Sequence, residues 1–399
     1  MERPATPALP AAGREPLRLV IEGWRFLPHS YALVAQAHAL SLLAREDIAL
    51  RFRDLPFYAS SWRRTRNILS ASEEQALDGI PSVDDAFTPE ATLRFAAGAI
   101  DVTPPATGRK LVFATAEHRT LTQEHLAGLR SAASIPESVG FLVPSRWAAV
   151  AFARFGVPDE RVHVVPHGVD PQVLFPDEQS RARSRQALGI GDAFVFMSIG
   201  AMTWNKGIDV LLRAFAEVVA SASDVRLMLK GADALYGSGD LLRAALAELP
   251  GGAREAVARR LIYNGNTLSA RAMASVLRAA DCYVSPYRAE AFNMPVLEAA
   301  ACGVPLICTA GGPTDEFTDP SSALRIDSRV IRVALGDGGT GDCLEPDVGH
   351  LASLMREAMQ EPARMRAMGA VAAAHALRDY TWNAVTGRLL EACYALGGT

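Results

Sequence analysis

Short apolar runs alternate along the chain with longer stretches in which apolar residues return every third or fourth position. The first run, Leu17 to Glu22 (LRLVIE), is followed by the loop GWRFLPHS and a helical pattern from Tyr31 to Ala44. A run of this length predicts a strand, and the longer period predicts an amphipathic helix. LVFATAE (Leu111 to Glu117) and FLVP (Phe141 to Pro144) read as buried parallel strands, and Trp147 to Phe155 as a helix. The pattern restarts with a strand at Ala193 to Gly200 (AFVFMSIG) and a helix over Gly207 to Val219. Further strands are predicted at Val225 to Gly231, Arg260 to Gly265, Cys282 to Pro286 and Val304 to Thr309.

Repeated βα units imply doubly wound parallel sheets joined by right-handed crossovers. Arg161 to Glu178 is a strand running into a segment with three prolines and no helical period, the expected domain junction. The predicted architecture is an α/β protein of two Rossmann-like domains facing across a cleft. Its parts are a leader over 1–16, a first domain over 17–175, a second over 176–378, and a tail over 379–399. The tail holds the helical pattern Trp382 to Leu396, which is placed to pack back on the first domain. Ligands of open parallel sheets sit beyond the carboxyl ends of the strands, so the site is expected in the cleft.

Composition narrows the partners. Forty basic and forty-four acidic residues leave a net charge of −4, without the basic excess that nucleic acid demands. No segment approaches eighteen uninterrupted apolar residues, and MERPATPALPAAGREP at the start lacks the apolar run of a signal peptide. The expected location is the cytoplasm, with peripheral membrane contact left open; oligomeric state is not specified. Five cysteines, none before Cys282 and none in C-x-x-C spacing, argue against a disulfide framework or a zinc site. Of the forty basic residues only Lys110, Lys206 and Lys230 are lysine, so each invites a reason for keeping a compact ammonium.

The densest chemical signal is Glu290 to Pro305, EAFNMPVLEAAACGVP. Pro295 suits a first helical turn, Gly303 suits a helix end and Pro305 forbids continuation, which predicts a helix from Pro295 to Cys302. The free N–H groups of Asn293, Met294 and their neighbours, with the helix dipole, would hold an anion such as a phosphate. Glu290 lies at that mouth and Glu298 one turn inside. Two carboxylates beside an anion site make sense if they accept hydrogen bonds from the hydroxyls of a sugar or ribose. The plainer alternative leaves Glu298 complementing the dipole and Glu290 as a solvated loop residue.

E-x7-E with Phe and Pro inside it, then Gly-Val-Pro and a strand, resembles the retaining GT-B glycosyltransferases of family 4, the glycosyl transferases group 1. VPSRW (Val143 to Trp147), VVPHGVD (Val164 to Asp170), SIGAMTWNKG (Ser198 to Gly207), ADCYVSP (Ala280 to Pro286) and TAGGPTD (Thr309 to Asp315) resemble the family in order and spacing. The likeness runs from about residue 17 to the C-terminus and is strongest in the second half.

The resemblance implies transfer of a sugar from a nucleotide-diphosphate sugar to an acceptor hydroxyl, with retention and without a metal or cofactor. The acceptor is a glycan, a lipid-linked sugar or a small molecule. Lys206 matches the residue that binds the donor diphosphate. Glu290 matches the acid that contacts the donor sugar, and Glu298 the acid on the ribose. Phe292, Asn293, Met294 and Val296 match the helix mouth beneath the sugar and phosphate, and His118 an imidazole facing the sugar. His118 competes with a plain exposed loop reading, and with His29 and His167.

Three departures stand out. Ala201 occupies the place of a second cation, which leaves Lys230 or an arginine to supply it. The first loop lacks a Gly-Gly pair, which leaves Gly23 and Ser30 as candidates for close approach to the diphosphate. Ala291 replaces a glycine, tolerable if its φ is negative. The three arginines of SSWRRTRN (Ser60 to Asn67) fit either an acidic or lipid acceptor or a solvated loop. Two rivals accompany the transferase: a GT-B phosphorylase using inorganic phosphate, and a non-catalytic sugar-nucleotide-binding subunit. A dinucleotide dehydrogenase is disfavoured because no G-x-G-x-x-G follows the first strand.

Overall fold

The computed structural model describes residues 15–126, 129–222, 224–336 and 338–395. The expected leader, except its last two residues, lies outside them. Six parallel strands form the first sheet: β1 (Leu17–Gly23), β2 (Ile48–Asp54), β3 (Ala91–Phe95), β4 (Arg109–Phe113), β5 (Val139–Val143) and β6 (Val162–Val164), in the order β2-β1-β3-β4-β5-β6. The second sheet has six more: β7 (Phe194–Ile199), β8 (Val225–Lys230), β9 (Leu261–Asn264), β10 (Cys282–Ser285), β11 (Leu306–Thr309) and β12 (Ala323–Ile326), in the order β12-β11-β10-β7-β8-β9. All neighbours in both sheets pair in parallel.

Both faces of each sheet are covered, which is why the strands read as nearly continuous apolar runs. In the second lobe, Phe196, Leu227, Leu229, Cys282 and Val284 bury one face against Leu211, Leu212 and Phe215 of the helix Ile208–Val219. Val195, Met197, Met228, Tyr283 and Leu306 bury the other against Val296, Leu297 and Ala300 of the helix Met294–Ala301. The first lobe repeats the plan, with Leu19, Ile21, Leu93 and Phe95 against Val34, Ala35 and Leu42 of the helix Ser30–Leu43.

The strand order reverses between β1 and β3 in one sheet and between β7 and β10 in the other. Loops that leave the sheet on either side of such a reversal diverge and open a crevice. The loops after β7 and β10 carry Lys206 and Glu290.

The chain passes between the lobes twice, side by side. Val169 N–H bonds to the Tyr380 carbonyl at 2.8 Å, and Trp382 N–H bonds back to the Val169 carbonyl at 3.1 Å. The helix Trp382–Ala395 then places Leu389 and Leu390 in the first-lobe core.

Several expectations need correction. LVFATAE does not stay in the sheet: β4 ends at Phe113, and Ala114 to Glu117 leave it toward the cleft. The strand expected at the start of Arg161 to Glu178 is Val162–Val164, the edge strand of the first sheet. β2, β3 and β12 are strands that the apolar pattern does not predict, and so are those of an antiparallel hairpin, β13 (Ser328–Ala334) and β14 (Thr340–Pro346). In β2 and β13, arginines interrupt the apolar residues, so no long run announces them. No helix among the described residues is long and apolar enough to cross a membrane. The five cysteines are buried free thiols.

Candidate active site

Beyond β7 the chain makes a tight one-turn helix over Trp204–Lys206 and ends it at Gly207, with φ of 70°. A Cβ on Gly207 would lie 1.8 Å from the Pro286 carbonyl oxygen, so only glycine lets this turn press against the exit of β10. The two loops are bonded together: Arg288 and Ala289 both donate their N–H to the Asn205 carbonyl, at 2.7 and 3.2 Å. Arg288 is buried, ion-paired to Asp209 at 2.6 Å and Glu345 at 2.9 Å, and stacked over the Trp204 ring. This frame aims Lys206 at Glu290, with Nζ donating to Oε1 at 2.7 Å.

Burial opposes charge on Lys206, but the Glu290 and Glu117 carboxylates outweigh it and hold the ammonium's pKa above its ordinary value. Burial raises the Glu290 carboxyl against the pull of Lys206. Two carboxylates share one ammonium, so the site by itself is short of positive charge for a diphosphate.

Amide donors lie next to it. Asn293 adopts φ of 78°, a left-handed conformation that asparagine tolerates, and its Nδ2 donates to Ser285 Oγ at 2.9 Å. The N–H groups of Phe292, Asn293 and Met294 have no partner among the described residues, as expected of a helix start awaiting a ligand. Val296 is not among these donors: it is fully buried, and its N–H is bonded to the Asn293 carbonyl at 3.1 Å. The Phe292 ring is a core anchor, stacked on Phe317 and edge-on to His167, both at 4.9 Å. Ala291 avoids positive φ, and its carbonyl accepts from Ser145 Oγ of the first lobe at 2.5 Å. The observed helix starts at Met294, one residue before the predicted Pro295.

The Glu298 carboxyl has no hydrogen-bond or ion-pair partner among the described residues, and burial pushes it up to about 7.

The first-lobe candidates fare differently. Gly23 ends β1, where a Cβ would come 3.1 Å from the Phe95 carbonyl, so close strand packing accounts for the glycine. Ser30 is exposed and opens the helix Ser30–Leu43, whose cap is His29. His29 is buried beside Trp24 and Trp62, and burial lowers its pKa to about 4. His167 is buried in the core and lowered to about 3 by burial, with the neighbouring His38 adding to it.

His118 is held by its backbone, its carbonyl accepting from Asp342 N–H at 2.8 Å. Its neighbour Glu117 reaches the site instead: Asn205 Nδ2 donates to its Oε2 at 3.1 Å, and its charge acts on both Lys206 and Glu290. Glu117 carries no sequence signal of its own, because it lies at the end of the apparent strand LVFATAE.

Lys230 is buried, bonded to the Gly231 carbonyl, with Asp233 as its charge partner. Its carbonyl accepts from Gly200 N–H at 3.0 Å, and Gly200 in turn lies against the Lys206 side chain. Lys110 is tied to Asp101 and the Thr103 carbonyl. In the Ser60–Asn67 segment, Arg64 and Arg66 pair with Asp54 and Asp78. No group of three or more His, Cys, Asp or Glu able to hold a metal ion occurs among the described residues.

Comparison with known proteins fits this geometry. Residues 193–329, which contain Lys206, Glu290 and Glu298, match the family description "Glycosyl transferases group 1". Over these residues, about a third of its length, the chain is similar to the glycosyl transferases group 1. The chain is 30% identical over 239 residues to D-inositol 3-phosphate glycosyltransferase 1 of Catenulispora acidiphila, covering 60% of this chain and 52% of that protein. It is 28% identical over 255 residues to the GDP-mannose-dependent alpha-(1-6)-phosphatidylinositol monomannoside mannosyltransferase of Mycolicibacterium smegmatis, covering 62% and 60%. The chain thus spans between half and two thirds of the length of these relatives.

Sucrose-phosphate synthase from Thermosynechococcus elongatus superposes with a TM-score of 0.67 at 15% identity, covering 94% of this chain and 98% of that one. Anabaena HepE, solved with UDP and glucose, gives 0.66 at 15% identity, covering 94% and 98%. At such identities the likeness is one of fold, and the fold is GT-B. The group 1 segment forms most of the second lobe, and the first lobe faces it across the cleft.

Proposed function

We propose that the protein is a glycosyltransferase that moves a sugar from a nucleotide-diphosphate sugar to an acceptor hydroxyl, with retention and without a metal. The observation that carries this reading is the convergence of the Lys206 ammonium, the free amides of Phe292 to Met294 and the Glu290 carboxylate where the strand order of the second sheet reverses. The likeness to D-inositol 3-phosphate glycosyltransferases and to a GDP-mannose-dependent mannosyltransferase supports it.

In this reading the anomeric carbon–phosphate oxygen bond breaks while a bond to the acceptor oxygen forms on the same face. The acceptor proton passes to an oxygen of the leaving diphosphate. Charge builds on that diphosphate, and Lys206 and the amides are already oriented toward it. Glu290 exchanges part of its hold on Lys206 for the sugar hydroxyls, and Glu298 accepts from the ribose. No protein nucleophile is required.

The test is to incubate the purified protein with UDP- and GDP-sugars, with and without a chelator, follow release of nucleoside diphosphate, and read the product anomer by NMR. Release that survives chelation with a retained anomer is expected; an inverted anomer or strict metal dependence overturns the reading. A thermal-shift comparison with inorganic phosphate separates a phosphorylase, since a ligand at one hundred times its Kd adds about 2.7 kcal/mol.

Glu298 supplies a pH signature. A ribose hydroxyl donates more strongly to an ionised carboxylate, so binding favours the deprotonated form of a group that titrates at about 7. Nucleoside diphosphate affinity is expected to climb as pH rises from 6 to 8 and then level. Because the ligand's own phosphate also titrates, calorimetry should compare wild type with Glu298→Gln, and identical profiles would remove Glu298 from the site.

A further inference from the structure

The hairpin β13–β14 grows from the second lobe but belongs to neither main core. Its Leu344 packs between Trp147 of the first lobe and Tyr287 of the second. Its base is fixed to the frame of the candidate site: Glu345 pairs with Arg288, and Leu344 N–H donates to the Arg288 carbonyl at 2.8 Å. Its far strand seats the first-lobe loop. Asp342 N–H donates to the His118 carbonyl at 2.8 Å, and a Cβ on Gly341 would lie 2.6 Å from the His118 Cβ.

The Asp342 carboxylate is buried among three guanidinium groups: Arg154 at 2.7 Å, Arg119 at 3.7 Å and Arg332 at 3.8 Å. Arg154 and Arg119 belong to the first lobe. Arg154 also donates to the Arg119 carbonyl at 3.1 Å, and Arg119 lies over the Trp147 ring. Trp147 Nε1 in turn donates to the Glu117 carbonyl at 2.9 Å. The Glu117 loop is therefore held from the hairpin on one side and from Asn205 on the other.

We propose that Asp342 is a positioning residue: it latches the hairpin β13–β14 to Arg154 and Arg119 of the first lobe and so seats Glu117 beside the Lys206–Glu290 pair. Two features distinguish a latch from ordinary packing. Its ion pairs join one lobe to the other, and the group it seats carries a carboxylate with acceptor capacity to spare. Asn205 fills one acceptor position of Glu117, while an ionised carboxylate offers about four. The remainder suit the hydroxyls of a sugar or acceptor in the cleft. This inference rests on the glycosyltransferase reading for the identity of those hydroxyls, but the latch is a statement about the lobes alone.

Three variants test it. Asp342→Asn removes the charge at constant shape, Gly341→Ala pushes the hairpin off His118 without changing charge, and Arg154→Met acts from a side chain that is 42% exposed. Ligand-free scattering is expected to show a larger radius of gyration for all three. Nucleoside diphosphate affinity, supplied by the second lobe, should stay within about twofold, while kcat for transfer falls about 10–100-fold, the cost of a misplaced catalytic group. Arg154→Lys should recover part of the loss. An unchanged radius in both Asp342→Asn and Arg154→Met overturns the latch even for an inactive preparation. So does a parallel fall in nucleotide affinity, thermal midpoint and kcat, which marks a purely structural role. Failure of the wild type to bind any nucleoside diphosphate would instead overturn the functional reading and leave the scattering result standing.

Discussion

Replacing Lys206 with alanine is expected to slow transfer by about 10²–10³-fold, the usual cost of removing one preorganised donor from a site where negative charge develops. Among the described residues the ammonium is the one cation bonded to Glu290, and Lys230 is engaged with Gly231 and Asp233. With Ala201 where a further cation would be expected, no lysine takes over the leaving diphosphate. The fold should tolerate the change, because the turn that carries Lys206 is held by Gly207 against Pro286 and by the Asn205 carbonyl, both independent of the side chain. Initial rates of nucleotide release, with the thermal midpoint measured alongside, check this. A rate within a few-fold of wild type with an unchanged midpoint removes Lys206 from catalysis.

Glu290→Gln should separate binding from turnover. In the proposed site the carboxylate and a bound diphosphate would compete for the same ammonium, and burial already presses the carboxyl toward its neutral form. Glutamine keeps the shape, ends that competition and removes a negative charge beside the phosphate. Nucleoside diphosphate affinity is therefore expected to hold or tighten. Transfer should fall about 10²-fold, because a polar site that loses its match to substrate hydroxyls discriminates and orients poorly. Calorimetry with the nucleoside diphosphate and rates with the full nucleotide sugar give the two numbers. If both fall together, Glu290 serves only to hold Lys206 in place.

These expectations show which parts of the site could be read along the chain. Helix punctuation by Pro295, Gly303 and Pro305 located the helix mouth within one residue, because those residues act on the backbone locally. The scarcity of lysine marked Lys110, Lys206 and Lys230 alike, and the resemblance of SIGAMTWNKG selected Lys206 among them. Local rules stop at Val296 and Gly23. A helix-start amide at Val296 closes on the turn before it, and Gly23 answers to β3, a strand 68 residues further along that the pattern did not reveal. Glu117 was hidden because an apolar run says where a strand begins more clearly than where it leaves the sheet.

The sequence by itself determined that two parallel α/β units are built in series, that a helix mouth flanked by Glu290 and Glu298 opens in the second, and that Lys206 stands apart from an arginine-rich background. Those properties follow from periodicity, backbone chemistry and composition, which act over a few residues. Only the tertiary structure decided that strand order reverses between β7 and β10, that Lys206 meets Glu290 across 84 positions of chain, and that Glu117 and the Asp342 hairpin join them from opposite lobes. Such meetings depend on which strands become neighbours and how the lobes dock, and no local pattern carries that information.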